Sequence, residues 1–321
     1  MEALKHLLPI LLTVSLGLLV VAAGMASSRG DFLYVLRQPG LLGKSALAVL
    51  VIPLVAAMLI VGLFPISHAT KAGILLMAIS PVPPLMPGKA LKFGGEAEYV
   101  YGLQAAFALL AIVTVPLLGW FIATFYNVDA QFPASVVAGN VFVGLIVPLA
   151  IGLALGRWLF RNASPRVPHV ISIIANVLVV IAFIPILIAT WPQIEALIGD
   201  GSVIAMALVV VLALAGGHFL GGPELAGRST LGFAAAIRHP GIALALAGAN
   251  DSDKPISAAV LLFMLVGIVV LIPYQMILRR MLPTAADQVR DAGRITQRNP
   301  TCDVDVSTGW AWRAAGRYRR Q

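Results

Sequence analysis

Charge is what this chain has least of. Of its 321 residues, 11% are Asp, Glu, Lys or Arg, against roughly 25% in a soluble domain. With 60% hydrophobic residues and a mean hydropathy of +0.95, there are too few polar groups to cover a globular surface. A soluble globular protein is excluded, and so is a disordered chain. The single cysteine, Cys302, lies in the C-terminal tail, which excludes an intrachain disulfide and a cysteine-rich metal site. The alternating segments of about ten residues that a membrane β-barrel needs are missing. So are His-Glu-x-x-His, paired intramembrane aspartates and a Gly-x-Ser-x-Gly elbow. No catalytic residue, metal or cofactor is expected, and the chain is not expected to be an enzyme.

What is present is long, continuous apolar sequence, which predicts an all-α polytopic membrane protein. Nine transmembrane crossings are expected, at residues 7–25, 45–63, 69–93, 97–121, 135–155, 167–191, 203–220, 229–249 and 256–278. The first run is longer than a signal-peptide core, and more positive charge follows it (Arg29, Arg37, Lys44) than precedes it, so a retained helix is expected. The formal charge of +8 reads as membrane topology rather than nucleic-acid binding. Arg29, Arg37, Lys44, Lys92, Arg157, Arg161, Arg166, Arg228 and the arginine-rich tail all fall on one side. The loops on the other side are acidic or uncharged, apart from Lys71 and Lys254. The basic side is predicted cytoplasmic, with the N-terminus outside an inner (plasma) membrane. Residues 1–282 form the membrane domain, and 283–321 read as a polar cytoplasmic tail.

Two spans are interrupted. Pro81, Pro83, Pro84 and Pro87 fall within seven residues, followed by Gly88 and Lys89. Each proline removes a backbone donor and clashes with the preceding turn, so a helix cannot run through them. The second interruption is at Arg238-His239-Pro240-Gly241. Both carry Pro-Gly-x-Ala-Leu, at 87–91 and 240–244, in spans three and eight. An odd offset between spans means opposite orientation, the pattern of inverted repeats whose broken helices meet at a midplane site. The two breaks are therefore expected to approach each other. Broken backbone survives in a bilayer only against protein or a wet cavity.

Beyond these features the sequence resembles the bile acid:sodium symporter family, within the superfamily that includes arsenite permeases and auxin-carrier-like proteins. The resemblance runs over about residues 7–278. It rests on Leu36-Arg37-Gln38-Pro39-Gly40, on the proline-rich crossover after Ile79-Ser80, and on Arg238-His239-Pro240-Gly241-Ile242-Ala243-Leu244-Ala245. It implies a secondary transporter of organic anions, with a core domain of two crossed discontinuous helices, a panel domain, and substrate in the cleft between them. The fuller family fold has ten helices in two five-helix repeats; this chain matches it without the first, as four plus five. The panel would take about 1–43 and 123–192, and the core about 44–122 and 193–282. The sodium-coupled pattern is altered. A Ser-Asn pair is replaced by Met86-Pro87, a Glu by Ala235, a Gln-Asn pair by His239-Pro240, and a hydroxyl-bearing face by the surroundings of Val100 and Gln104. The coupling ion is left open: transport is uncoupled or linked to a proton, with sodium less expected.

Lys89 and Arg238 are charges where lipid should be, at an insertion cost of roughly 2.5–3.5 kcal/mol each. Such residues usually face a cavity. Lys89 is expected in the first turn of a half-helix, an unfavourable end for a cation unless an anion sits opposite; the alternative is that it snorkels to the interface. His239 is either a proton carrier or a partner for a freed carbonyl. Gln104 lies two turns into span four, beyond Glu96 and Glu98, whose positions suit the helix dipole. His218 and Asn176 read as interhelical hydrogen-bonding groups. The expected substrate-binding set is thus Lys89, Gln104, Arg238 and His239. The expected function is alternating-access transport of a small or amphipathic organic anion. The alternatives are an auxin-carrier-like or arsenite-type efflux permease, an intramembrane enzyme, and a non-transporting membrane sensor.

Overall fold

The computed structural model describes residues 2–27, 30–159, 166–250 and 254–281, with backbone alone for 2–10, 159 and 166. The tail from residue 283 onwards, with Cys302, lies outside the described residues. The chain divides into two compact units, Met1–Ile272 and Pro273–Gln321, and the second is described only as helix, as far as Met281.

Among the described residues there is no strand. The helices are α1 (Glu2–Ala26), α2 (Pro39–Leu63), α3 (His68–Ile79), α4 (Met86–Lys92), α5 (Ala97–Tyr126), α6 (Ala134–Trp158), α7 (Arg166–Glu195), α8 (Ser202–Leu220), α9 (Leu225–Ala236), α10 (Pro240–Ala249) and α11 (Lys254–Met281). Seven stretches are long and apolar enough to cross a bilayer: α2, α5, α6, α7, α8, α11, and α9 with α10 taken together as Leu225–Ala249. The described part of α1, Leu11–Ala26, and α3 are apolar but shorter. The protein is an integral membrane protein. The two runs that fall short of the nine expected are the ones cut by the end of the described side chains and by the prolines after Ile79.

Proline explains several boundaries. α2 begins six residues before the expected position because Pro39 sits in its first turn. There the missing N–H has no helical acceptor to lose and the fixed φ already suits a helix. Inside α2 the turn Leu47–Val51 widens to a π-helix just ahead of Pro53, and in α6 the turn Phe142–Ile146 does so just ahead of Pro148. Each proline withholds the N–H that the residue four before it would normally receive, so Val49 and Gly144 lose their usual donors.

Small residues bring helices together. α1 packs against α6 and α7. A Cβ on Gly24 would lie 2.9 Å from the Leu149 carbonyl, and one on Gly156 would lie 3.0 Å from Met25 Cα. Gly152 backs onto Val21. This Gly-x-x-x-Gly face lets α6 approach α1 closely enough for dispersion to hold the pair in lipid. α8 packs on α9 and on α2 in the same way, with Gly217 against Gly232 and Gly216 against Ile52. α9 is buried on every face from Ser229 to Ala236.

Two polar clusters tie loops that follow different helices. Ser67 caps α3, its Oγ accepting from the Thr70 N–H. Asp200 accepts from the Ser67 N–H at 2.9 Å, the Ser202 N–H at 3.2 Å and the Ser202 hydroxyl, and Thr70 Oγ1 lies 2.7 Å from Ser202 Oγ. Partial burial pushes the Asp200 carboxyl up, but the hydrogen bonds from Ser202 and Ser67 outweigh it and hold the group below its ordinary value. In the second cluster Asn250, which ends α10, exchanges bonds with the backbone of Gln131: its Oδ1 accepts at 2.6 Å and its Nδ2 donates at 2.7 Å.

Candidate functional site

The two helix breaks are shorter than the proline pattern suggests. The first gap is 80–85 and the second is 237–239. Pro81, Pro83 and Pro84 lie in the first gap, where the Met86 N–H closes a turn on the Pro83 carbonyl at 3.1 Å. Pro87 and Gly88 do not lie in the gap; they belong to the first turn of α4, as Pro240 and Gly241 belong to the first turn of α10. The physical reason is again that a proline in the first turn has no intrahelical bond to break. The repeated Pro-Gly-x-Ala-Leu therefore marks where each second half starts. Between Pro81 and Pro83, Val82 is held at φ +31°. A β-branched residue in that region stores about 1–3 kcal/mol.

The breaks meet. The His239 N–H donates to the Ser80 carbonyl at 3.0 Å. That N–H would have served the Ala235 carbonyl had α9 continued. Arg238, 4% exposed, reaches across the same junction. Its Nε donates to the Met77 carbonyl at 3.0 Å and one terminal nitrogen to the Val49 carbonyl at 2.8 Å and the Ala235 carbonyl at 3.4 Å. The other terminal nitrogen donates to the Ala78 carbonyl. All four acceptors have lost a helical donor. Pro53 withholds one from Val49 and Pro81 withholds one from Met77, while Ala78 and Ala235 sit where their helices stop. The guanidinium has no carboxylate partner among the described residues.

Beside this junction is a cavity of about 20 Å³, room for roughly one water. Pro81, Val82 and Pro84 form one wall, His239 and Ile242 another, Gln104 and Ala108 of α5 a third, and Asn140, Val141, Gly144 and Leu145 of α6 the fourth. Gln104 is 3% exposed and has no hydrogen-bond partner among the described residues. His239 caps α10: its Nδ1 accepts from the Ile242 N–H at 3.3 Å. The ring is therefore neutral, with its proton on Nε2. The bond it makes is to a freed donor, whereas one of the two roles expected of it was to pair with a freed carbonyl. Asn140 donates to the Val136 carbonyl at 3.0 Å.

Of the four expected binding residues, the structure brings Gln104 and His239 to the cavity. Arg238 lies behind it, on carbonyls. Lys89 is exposed and in the last turn of α4, not the first, because the helix is only Met86–Lys92. Its charge sits at the favourable end of the dipole, and it does not line the cavity. Asn140 went unread in the sequence, although a lone amide in an apolar run is the same signal that singled out Asn176. Asn176 bonds within its own helix, to the Ser172 carbonyl at 2.7 Å, rather than between helices. His218 packs edge-on against Phe219. Glu96 and Glu98 open α5, as expected.

Among the described residues, no group of His, Cys, Asp or Glu is arranged to hold a metal ion. No curated protein matches the chain at a significant level. The sodium bile acid symporter family pattern matches residues 13–219, nearly two thirds of the chain, which takes in the first break, Gln104 and Asn140 and stops before the second break. The chain belongs to the sodium bile acid symporter family.

Proposed function

We propose that the protein is a secondary transporter that carries a small or amphipathic organic anion by alternating access at the junction of its two broken helices. The observation that carries this reading is the meeting of the breaks, His239 N–H on Ser80 carbonyl, beside a cavity whose polar groups are neutral donors and acceptors. The N-cap and third residue of the ten-residue α10, His239 and Ile242, line that cavity, so the positive end of a helix dipole is directed at it. His239 Nε2 and the amides of Gln104 and Asn140 supply hydrogen bonds, and the Arg238 charge acts from behind the wall.

In this reading there are nine crossings: the seven long apolar stretches together with α1 and the pair α3–α4. They form inverted repeats of four and five. The packing of α1 on α6 and α7 supports a panel, and the packing of α2, α8 and α9 around the breaks supports a core. The N-terminus lies outside and the tail lies in the cytoplasm of a plasma (inner) membrane. The family gives organic anions as the substrate class, typically with sodium. Sodium coupling through side chains is not part of the proposal, because Met86, Pro87 and Ala235 are buried and offer no side-chain oxygen.

The test is counterflow in proteoliposomes loaded with an amphipathic bile acid or with a short monocarboxylate. The expected result is saturable exchange of at least one class, lost in a Gln104→Leu and His239→Phe double variant. Exchange of neither, or exchange unchanged in the double variant, would remove the cavity from the transport path.

A further inference from the structure

Arg238 is a buried cationic side chain with no carboxylate partner among the described residues, held by four carbonyl oxygens. Two of those oxygens end α3, one ends α9, and one is released by the π turn of α2. The C-terminus of a helix carries roughly half a negative charge. Two such ends meet here, together with one further freed carbonyl, around a residue that is 4% exposed. Unwound carbonyls and half-helix C-termini at the centre of an inverted-repeat transporter form the kind of cage that takes a coupling cation. In this chain a guanidinium fills the cage.

We propose that Arg238 is a tethered cation: its guanidinium permanently occupies a carbonyl cage fitted to a free monovalent cation, and thereby makes the transport cycle independent of one. The inference rests on the transporter reading above, and it deepens that reading by naming what replaces the coupling ion. A guanidinium suits the role better than an ammonium. Its planar fork reaches several carbonyls at once, and it cannot lose its proton at physiological pH. Because it is part of the chain, its occupancy does not depend on any ion concentration outside.

The experiment compares the full-length parent with Arg238→Ala and Arg238→Lys, in detergent and in proteoliposomes. Thermal midpoints are measured in choline, sodium, potassium and low-millimolar guanidinium chloride. The parent should be indifferent to the cation. Arg238→Ala empties the cage, and its midpoint should rise saturably by about 5 °C with sodium, potassium or guanidinium but not with the larger choline. Exchange of the anion that the parent carries should become cation-dependent by tenfold or more. Arg238→Lys keeps the charge on a shorter reach and should stay cation-independent at a lower midpoint.

A parent that responds to sodium would overturn the proposal. So would an alanine variant that folds but ignores every cation, or one that no cation recovers, since both outcomes make the side chain a structural plug only. A lysine variant as cation-dependent as the alanine one would also overturn it. The midpoints need no transported substrate, so the tethered-cation result and the transporter result fail separately.

Discussion

At the residue scale, Gln104 stands out because its position is poor for folding. The residue is 3% exposed and lines the cavity without a hydrogen bond to another described residue, so no bond within the protein offsets the burial of its amide. Gln104→Leu should therefore raise the thermal midpoint, by about 1 kcal/mol of stability, while weakening anion binding about tenfold through one lost charge-assisted hydrogen bond. Midpoint and binding moving in opposite directions would mark a functional residue, whereas a fall in both would make Gln104 ordinary core. Asp200 makes the opposite case, a polar residue that holds loops together. Its folded carboxyl lies below its unfolded value, so its contribution is fully present above about pH 4 and is lost as pH falls through the folded value. The midpoint should be flat from neutral pH down to about 5 and drop below 4, with a shallower acid limb in Asp200→Asn. That Arg238, His239 and Gln104 would stand at or beside the junction of the breaks was legible from polar chemistry in apolar runs. What Arg238 touches was not, because Val49 is 189 residues away and no local pattern records such a contact.

At the scale of elements, proline placed the breaks and glycine placed the contacts. The breaks were legible because four prolines leave the backbone no helical choice. Their edges were not, because a proline that ends one helix also starts the next, and only capping geometry separates the two roles. Lys89 was misplaced for that reason: its helix is seven residues long and leaves it in the last turn. The close approach of α1 to α6 went unread, since glycines such as Gly152 and Gly156 are common in membrane helices. Gly152→Leu should separate α1 from α6 at a cost of about 1–3 kcal/mol. Gly139→Leu on the same helix, where an added Cβ meets nothing within 4 Å, should leave stability within about 0.5 kcal/mol. Midpoints of the two variants side by side check this, and equal effects would mean that the glycine face is not what holds the pair.

At the scale of the whole molecule, composition alone excluded a soluble protein, and hydropathy found the apolar stretches that became helices. The family was legible from three short motifs, and the family match over residues 13–219 covers the first two of them. Sidedness rests on where Lys and Arg fall, and Cys302 offers a direct reading of it, as the one thiol in the chain. A membrane-impermeant maleimide should label Cys302 in inside-out vesicles and in permeabilised cells, and leave it unlabelled in intact ones. Labelling of intact cells would put the tail outside and invert the topology. The domain division is the least legible level, because which helices move together depends on contacts between distant spans rather than on any run of sequence.

The carbonyl cage around Arg238 bears on energy conversion. A bound sodium ion crosses the membrane with its substrate and stays on the far side; a guanidinium on the chain goes back with the protein when the cycle resets. An organic anion carried alone then takes its own charge across uncompensated. Against a potential of 100 mV, negative inside, one such charge is worth about 2.3 kcal/mol, or roughly fiftyfold in the concentration ratio it can sustain. The voltage acts outward on an anion. On the tethered-cation proposal, the protein would be an electrogenic device driven by voltage in place of an ion gradient, and an energised cell would use it to expel its substrate.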